Sequence, residues 1–245
     1  MDEQIFDPGR AAFAFCDEIE GMTEQSAVID RMNIELGKYG IDAWVITGLP
    51  MPGGRIEEMI LLNGWNPEWS RYYFSKNLVK DDPCVAHCFR SIGPFEWKDA
   101  PYDPDTWPAA EKMMHDAADV GMRHGFAVPI HSFAGFQAVV SMGGKHVDLS
   151  PAAKRALHLV SLYAHHKASS VVRQPQEPYS PLLTRREKEI LRWVACGKTA
   201  WEISQILRIS DATVRQHLKA VARKFETPNK TATVVAALRR GEIHL

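Results

Sequence analysis

The chain has 245 residues, a formal net charge of −1 and 45% apolar residues, a balance typical of a globular protein of one or two domains. The acidic N-terminus lacks the basic-then-apolar order of a signal peptide, and no apolar run reaches the length of a membrane span. Four scattered cysteines are too few for a disulfide framework, so we expect a reduced protein in the cytoplasm.

Residues 1–172 are predicted to form an α+β domain. Apolar residues at helical spacing predict helices at about 8–20, 23–39, 65–76, 83–89, 104–120 and 151–172. Strands are predicted at 41–47, 58–62 and 94–97, and a hairpin pairs 124–131 with 136–142. This order predicts a mixed sheet with helices on both faces and a core large enough to leave an internal cavity.

A proline-bearing connector follows this domain. Residues 173–181 (RQPQEPYSP) cannot be helical throughout, because proline lacks the backbone N–H and clashes with the preceding turn. We therefore predict a linker at 173–181 that joins a domain of residues 1–172 to a second domain of residues 182–245.

The charge is divided unevenly between these two domains. From Leu182 onward there are 13 Lys and Arg against 6 Asp and Glu, a net +7, which leaves 16 against 24, a net −8, for the preceding residues. A basic domain joined to an acidic one is typical of proteins in which one part binds nucleic acid.

The basic domain is predicted to contain four short helices. Capping boxes of the form S/T-x-x-E, at residues 184–187 and 199–202, open the first two. Ser210 and Asn229 can cap the third and fourth. Only three residues separate the second helix from the third, which is the length of a helix-turn-helix connection.

The third helix has an apolar stripe and a separate basic face. The stripe comprises Val214, Leu218, Val221 and Phe225, and the basic face comprises Arg215, Lys219 and Arg223. A basic helix face after a short turn favours a helix that enters the DNA major groove. A helical bundle with a solvated basic face is the alternative.

From Leu182 to the C-terminus, the sequence resembles the LuxR-type helix-turn-helix. Matching positions include Leu183–Leu191, Gly197–Thr199, Glu202–Ile203, Ile206–Leu207, Ile209–Ser210, Thr213–Val214, His217–Lys219 and Asn229–Lys230. The resemblance implies a homodimer that binds a near-palindromic double-stranded DNA site, with RNA polymerase as a further candidate partner. It implies base contacts by Arg215 and Lys219, and phosphate contacts by Thr213, His217, Arg223 and Lys224.

Several aromatic residues and one acid stand out in the first domain: Trp65, Trp69, Tyr73, Asp82 and Trp97. Trp and Tyr combine a large apolar area with one polar group. An Asp among them would be costly to bury without partners. Taken alone, the pattern also fits an aromatic core with a surface turn at Asp82-Pro83.

The spacing of Trp69, Tyr73, Asp82-Pro83 and Trp97 resembles the ligand domain of LuxR-family quorum-sensing receptors. Gly125 and Ser141 fall at two further positions of that pattern. The family's N-terminal domain is an α-β-α sandwich that encloses an N-acyl-homoserine lactone.

The resemblance also implies a role for each matching residue. Trp69 would donate its indole N–H to the lactone carbonyl, and Asp82 would accept the amide N–H of the ligand. Ser141 would lie near the acyl carbonyl, while Tyr73 and Trp97 would form walls of the pocket. Such directed polar bonds reject analogues that lack the matching groups.

Trp65 departs from the family, which usually has a tyrosine at this position. An indole N–H can donate but cannot accept, and the ring is bulkier than a phenol. We therefore expect a short, branched or flat aromatic acyl group rather than a long flexible chain.

Two other classes of function remain as alternatives, along with a sensor of a different small molecule. A phosphorelay response regulator shares this helix-turn-helix, but its receiver domain would open with a strand, whereas two helices are predicted here. An enzyme or metal-binding module lacks a site, because Cys84-Val-Ala-His87-Cys88 has no second ligand cluster and is predicted to supply buried cysteines. We expect no catalytic residues, metal or cofactor.

Overall fold

The structure is a computed structural model that describes residues 6–49, 54–132, 135–172 and 181–244. The chain divides into an N-terminal and a C-terminal compact unit. Apart from Pro181, the predicted linker lies outside the described residues, so its bounds stay a prediction. Among the described residues, none of the helices has both the length and the apolar character that crossing a membrane requires.

The N-terminal unit contains six helices and five strands in its described part. The helices are α1 (Pro8–Glu20), α2 (Gln25–Gly37), α3 (Pro67–Ser75), α4 (Pro83–Cys88), α5 (Pro108–Asp119) and α6 (Pro151–Val172). The strands are β1 (Ala43–Thr47), β2 (Ile60–Asn63), β3 (Phe95–Glu96), β4 (His124–Ser132) and β5 (Gly135–Gly144). They form one sheet in the order β2-β1-β5-β4-β3, and the pairs β1–β2, β1–β5 and β3–β4 are antiparallel.

The sheet separates two apolar layers, because successive side chains of a strand point to opposite faces. Trp44 and Ile46 of β1 pack with Val140 and Met142 of β5 in the core that includes α1, α2 and α6. On the other face, Ala43 belongs to a second cluster with residues of α3 and α5. The α+β class and the α-β-α sandwich are therefore confirmed.

Several predicted element boundaries differ from those of the structure. Helix α5 begins at Pro108 rather than at 104, because a residue that precedes proline is disfavoured in a helix and Trp107 has φ −135°. Strand β2 begins at Ile60 rather than at Glu58, because Ile56–Met59 form a short 3-10 helix in which Ile56 is buried. Helix α2 starts at Gln25 instead of Thr23.

The C-terminal unit contains α7 (Arg185–Ala195), α8 (Ala200–Leu207), α9 (Asp211–Lys224) and α10 (Lys230–Arg239). Both predicted capping boxes form, and the Ser210 hydroxyl accepts the backbone N–H of Thr213 at 3.0 Å. Gly197 has φ +80°, the left-handed conformation that ends α7 and favours glycine. Val214 and Val221 of α9 are buried against the other helices. The predicted four-helix unit with a helix-turn-helix is confirmed.

Candidate functional site

All six residues predicted to bind a ligand line one cavity in the N-terminal unit. The cavity has a volume of about 40 Å³ and lies between the sheet and helices α3 and α5. A neighbouring cavity of about 30 Å³ shares part of this lining and extends toward Thr47, Leu49 and Ile56. The predicted residues on the wall of the first cavity are Trp65, Trp69, Tyr73, Asp82, Trp97 and Ser141.

Helix α3 supplies the aromatic wall. The Asn66 side chain caps this helix by accepting the N–H of Glu68, and Pro67 occupies its first position. Trp69 and Tyr73 follow on the same face, one turn apart, and are 5% and 2% exposed. Among the described residues, the Trp69 indole N–H makes no hydrogen bond, so it is available to a ligand.

Trp65 closes the same wall from the segment just before α3. Its ring centroid lies 5.1 Å from that of Tyr73. Its backbone N–H is donated to Asn63 Oδ1 at 2.9 Å, which fixes the chain at this point. The Trp65 indole is therefore positioned at the cavity by its packing on Tyr73 and by the hydrogen bond of its own backbone N–H.

Asp82 is both the N-cap of α4 and part of the cavity wall. Its Oδ1 accepts the backbone N–H groups of Cys84 (2.8 Å) and Val85 (3.3 Å). Its Oδ2 accepts the Tyr73 hydroxyl at 3.0 Å. Asp82 is half-buried, and it lines both cavities. Pro83 is buried, so the Asp82-Pro83 turn does not lie wholly at the surface.

The surroundings of Asp82 leave it one unused acceptor position. Burial raises the pKa of Asp82, and the hydrogen bonds from Tyr73, Val85 and Cys84 oppose that shift. Because a carboxylate oxygen can accept two hydrogen bonds, Oδ2 can take a second donor from the cavity side. An amide N–H of a ligand would suit this position.

Trp97 and Ser141 form the wall on the sheet side. Trp97 donates its Nε1–H to Ser141 Oγ at 3.2 Å, so the serine hydroxyl can still donate its own hydrogen into the cavity. The indole lies directly on Gly125 and Gly143, where a Cβ atom would collide with the ring. The glycine at 125 is thus needed for close approach of this ring.

Five further residues complete the cavity wall and were not predicted to bind a ligand: Cys84 of α4, Met113, Met114 and Ala117 of α5, and Met122 after α5. The four-residue spacing of Met113 and Ala117 predicts an apolar helix face, but nothing in the sequence indicates that this face packs near α3. Sulfur-containing side chains dominate this part of the wall, and thioethers adapt easily to a changed shape.

Cys84 and Cys88 are buried free thiols, as the sequence predicted. Burial, followed by the negative charge of Asp82, raises the pKa of Cys84 well above its usual value and that of Cys88 to about 12. Both thiols are therefore uncharged at neutral pH. In the described parts of the chain, no group of three or more His, Cys, Asp and Glu side chains is placed to hold a metal ion.

The predicted DNA-contacting face lies on α9. Arg215, Lys219 and Arg223 are exposed, whereas Thr213 and His217 are half-buried. The Asp211 carboxylate accepts from Arg215 Nε at 2.5 Å. This ion pair holds the guanidinium near the start of the helix.

Lys224 has internal partners that the sequence did not reveal. Its ammonium group donates to Glu187 Oε2 at 2.7 Å and to the Leu182 carbonyl at 3.1 Å. Glu187 is 5% exposed and belongs to the capping box of α7. Lys224 therefore contributes to the contact between α7 and α9, and its predicted phosphate contact stays a prediction.

A groove of about 250 Å³ runs beside the basic face, between α9 and α10. Arg215 and Lys219 border it from α9, and Lys230 borders it from the start of α10. Lys230 was not among the predicted DNA contacts, although its position in the helix-turn-helix motif was recognised.

Two families of known proteins match the chain, one in each compact unit. A family model described as "Autoinducer binding domain" matches residues 24–168, and one described as "Bacterial regulatory proteins, luxR family" matches residues 181–237. The quorum sensing-dependent transcriptional regulator RpaR of Rhodopseudomonas palustris is 44% identical over 237 residues, which cover 97% of this chain and 96% of RpaR. The transcriptional activator protein BjaR1 of Bradyrhizobium diazoefficiens is 40% identical over 236 residues, covering 95% and 96% of the two chains.

Solved structures share the fold. Escherichia coli SdiA superposes with a TM-score of 0.68 at 22% identity, covering 94% of this chain and 97% of SdiA. CepR2 from Burkholderia cenocepacia gives a TM-score of 0.50 at 20% identity, covering 67% and 95%. The matched relatives are transcriptional regulators rather than enzymes. With both family models matched in order along its length, the chain belongs to the LuxR family of quorum-sensing transcriptional regulators.

Proposed function

We propose that the autoinducer of this regulator is an N-acyl-homoserine lactone and that it binds in the cavity beside α3. The observation that carries the proposal is that six residues predicted from the sequence line one cavity. Within it, Trp69 has an unused donor and Asp82 an unused acceptor. The fold neighbour CepR2, a transcription factor described as N-acylhomoserine lactone dependent, supports this choice of ligand class.

The polar groups of the cavity suit the head of such a ligand. Trp69 Nε1–H donates to the lactone carbonyl, and Asp82 Oδ2 accepts the amide N–H. The Ser141 hydroxyl approaches the acyl carbonyl, with Tyr73 and Trp97 as walls. Since a buried amide is costly to leave unpaired, this arrangement favours a ligand with one N–H and two carbonyl groups over a plain hydrocarbon.

The acyl group is proposed to be short, branched or flat and aromatic. Trp65 packs on Tyr73 and takes up space in the shared wall of the two cavities. Both cavities are small, and the second ends at the buried side chains of Thr47 and Ile56. A compact acyl group needs less displacement of these walls than a long chain does.

We further propose that the protein binds a near-palindromic DNA site as a homodimer. Arg215 and Lys219 contact base edges, and Thr213, His217 and Arg223 contact phosphates. The long helix α6 contributes to the dimer interface, since it carries the exposed apolar residue Leu162. Because all four cysteines are free thiols and the target is DNA, we place this activity in the cytoplasm.

A ligand panel tests the proposed chemistry. Purified full-length protein is heated with N-acyl- and N-aroyl-homoserine lactones of different length and shape, and the shift in Tm is measured. Branched and aroyl lactones should give the largest shifts. Trp69→Phe should reduce them, while Trp201→Phe, which changes an indole that is 64% exposed on α8, should not.

The panel also has two adverse outcomes. A clear preference for long straight chains would overturn the proposed acyl group. If no lactone in the panel stabilises the protein, the proposed ligand class is wrong, and mass spectrometry of a co-purified small molecule would identify another class.

A further inference from the structure

The cavity is smaller than any homoserine lactone requires. Pockets that enclose small-molecule ligands have volumes of about 300 to 1,000 Å³, whereas the two neighbouring cavities measure about 40 and 30 Å³. A wall must therefore move outward before a lactone can occupy the position proposed above. Which wall moves can be inferred from what holds each one in place.

The sheet wall is held by regular backbone hydrogen bonds. Ser141 on β5 is paired with Val45 of β1 in an antiparallel ladder, and Trp97 rests on two glycines of this sheet. Moving this wall would break several backbone hydrogen bonds at once. The opposite wall consists of α5 and the residue Met122, which contribute mainly methionine side chains to the cavity.

A polar contact fastens α5 to α3. The Tyr72 hydroxyl donates to Asp116 Oδ2 at 2.7 Å, and Lys112 of α5 donates to both carboxylate oxygens of Asp116, at 3.0 and 2.8 Å. Lys112 of α5 also interacts with the Tyr72 hydroxyl, more weakly than Asp116 does, and the Tyr72–Asp116 hydrogen bond links a side chain of α3 to one of α5. This bond also raises the pKa of the Tyr72 hydroxyl, since the charged acceptor favours its protonated form.

The same tyrosine touches the residue that is proposed to hold the lactone. The ring centroids of Tyr72 and Trp69 lie 5.8 Å apart, and Trp69 packs in the same cluster as Met113 and Ala117 of α5. Fastening Tyr72 to α5 therefore fixes both the indole donor and the helix that covers it.

We infer that the Tyr72–Asp116 hydrogen bond, which we call the α3–α5 latch, controls exchange of the autoinducer. The latch holds α5 over the cavity and must open for a lactone to enter or leave. Tyr72 is thus a positioning residue that acts through Trp69 and α5, without contact to the ligand. The inference rests on the proposed lactone site, but the closing action of the latch can be measured without any lactone.

Tyr72→Phe removes the latch and leaves the ring. Because the bond is present before and after binding but broken during passage, its loss should speed both association and dissociation, each roughly two- to tenfold, and leave Kd within twofold. The probes are N-benzoyl- and N-(2-methylpropanoyl)-homoserine lactone, and the signal is the fluorescence of the indoles around the cavity in stopped-flow mixing. Asp116→Ala should match Tyr72→Phe, whereas Asp116→Asn retains an acceptor and should have a smaller effect.

Tyr102→Phe is the matched control, because among the described residues the Tyr102 hydroxyl has no hydrogen-bond partner; its rates should equal those of the wild type. Unchanged rates in Tyr72→Phe would overturn the inference. So would faster dissociation alone, since that result would make Tyr72 a contributor to affinity rather than to passage.

Hydrogen–deuterium exchange separates the latch from the ligand proposal. In the absence of lactone, peptides that cover residues 108–119 should exchange faster in Tyr72→Phe than in the wild type or in Tyr102→Phe. If neither probe lactone binds the wild type, the proposed ligand class fails while this measurement still decides the latch. Equal exchange in all three proteins would show that the bond does not hold α5.

Discussion

Asp82 has a separate task for each of its carboxylate oxygens. Oδ1 closes the first turn of α4, and Oδ2 accepts the Tyr73 hydroxyl in the wall of the cavity. A local capping requirement thus places an ionisable group where a ligand N–H can reach it. The cost of enclosing this group is offset by three hydrogen bonds from the protein.

Asp82→Asn should weaken lactone binding. The amide can still accept at the cap, but its NH2 group presents donors where the ligand also presents a donor. Leaving a buried N–H unpaired costs about 1–3 kcal/mol, and titration calorimetry would report the corresponding loss of affinity. Asp81→Asn, one residue away and outside the cavity lining, is the control; equal losses in both variants would contradict the assignment.

Lactone affinity should also depend on pH through Asp82. Burial raises the pKa of Asp82, whereas an accepted ligand N–H stabilises the charged form and lowers the pKa again. Binding therefore releases a proton, and affinity should increase as the pH rises through the raised pKa and then level off. The Asp82→Asn profile should be flatter. A wild-type affinity that falls with rising pH across this range would refute the role.

At the scale of elements, the helices of the C-terminal unit divide their basic residues between two jobs. Arg215 and Lys219 point away from the core, while Lys224 is bound to the nearly buried Glu187 across α7 and α9. A count of basic residues cannot distinguish these roles, because the distinction depends on what lies opposite each side chain.

The variants Lys224→Ala and Arg223→Ala should therefore affect different properties, the first protein stability and the second DNA binding. Loss of Lys224 leaves Glu187 with fewer donors and should lower the free energy of unfolding of the protein by about 1 kcal/mol, measured by denaturant titration. Loss of Arg223 should leave stability unchanged and reduce the salt dependence of DNA binding by about one unit of slope. A stability loss in Arg223→Ala with none in Lys224→Ala would reverse this assignment.

Arg215→Ala should weaken DNA binding by about 1–3 kcal/mol and relax the preference for one base pair. The readout is a binding titration against operator variants that each change one position. Arg192→Ala removes the same charge from an exposed position on α7 and should keep the base preference. A base preference that survives Arg215→Ala would exclude it as a base contact.

The sequence could predict contacts between site residues that are close along the chain but not contacts between residues that are far apart. Trp69 and Tyr73 lie one helical turn apart, so their shared face follows from spacing alone. Ser141 reaches Trp97 across 44 residues, and the pairing of strands that brings them together is not encoded locally; only the family resemblance placed them in one pocket. Neither argument indicated that α5 lies against α3, so the latch residues were missed.

At the scale of the whole molecule, the two compact units carry separate chemistries on one chain. The N-terminal unit encloses small polar groups within an apolar layer, whereas the C-terminal unit exposes basic side chains on a helix. A ligand that binds only the folded N-terminal unit raises its stability by mass action, which is the simplest means by which a signal could control the amount of functional regulator.

Leu162→Glu tests the proposed dimer. The side chain is 41% exposed on α6, so an acidic replacement is tolerated in a monomer but would place a charge in an apolar interface. Analytical ultracentrifugation should show a shift toward monomer without a lower Tm for the N-terminal unit. A Leu162→Glu protein with the wild-type association constant would place the interface elsewhere.

Trp97 packs on Gly125 and Gly143, which have no side chains. This contact has a consequence for how such receptors could change during evolution. A methyl group at Gly125 would collide with the Trp97 indole and would push this ring toward the cavity that it lines. The Trp97 indole would then fill part of this cavity. One methyl group added at a strand glycine could in this way convert a receptor into a regulator that no longer responds to its signalling molecule.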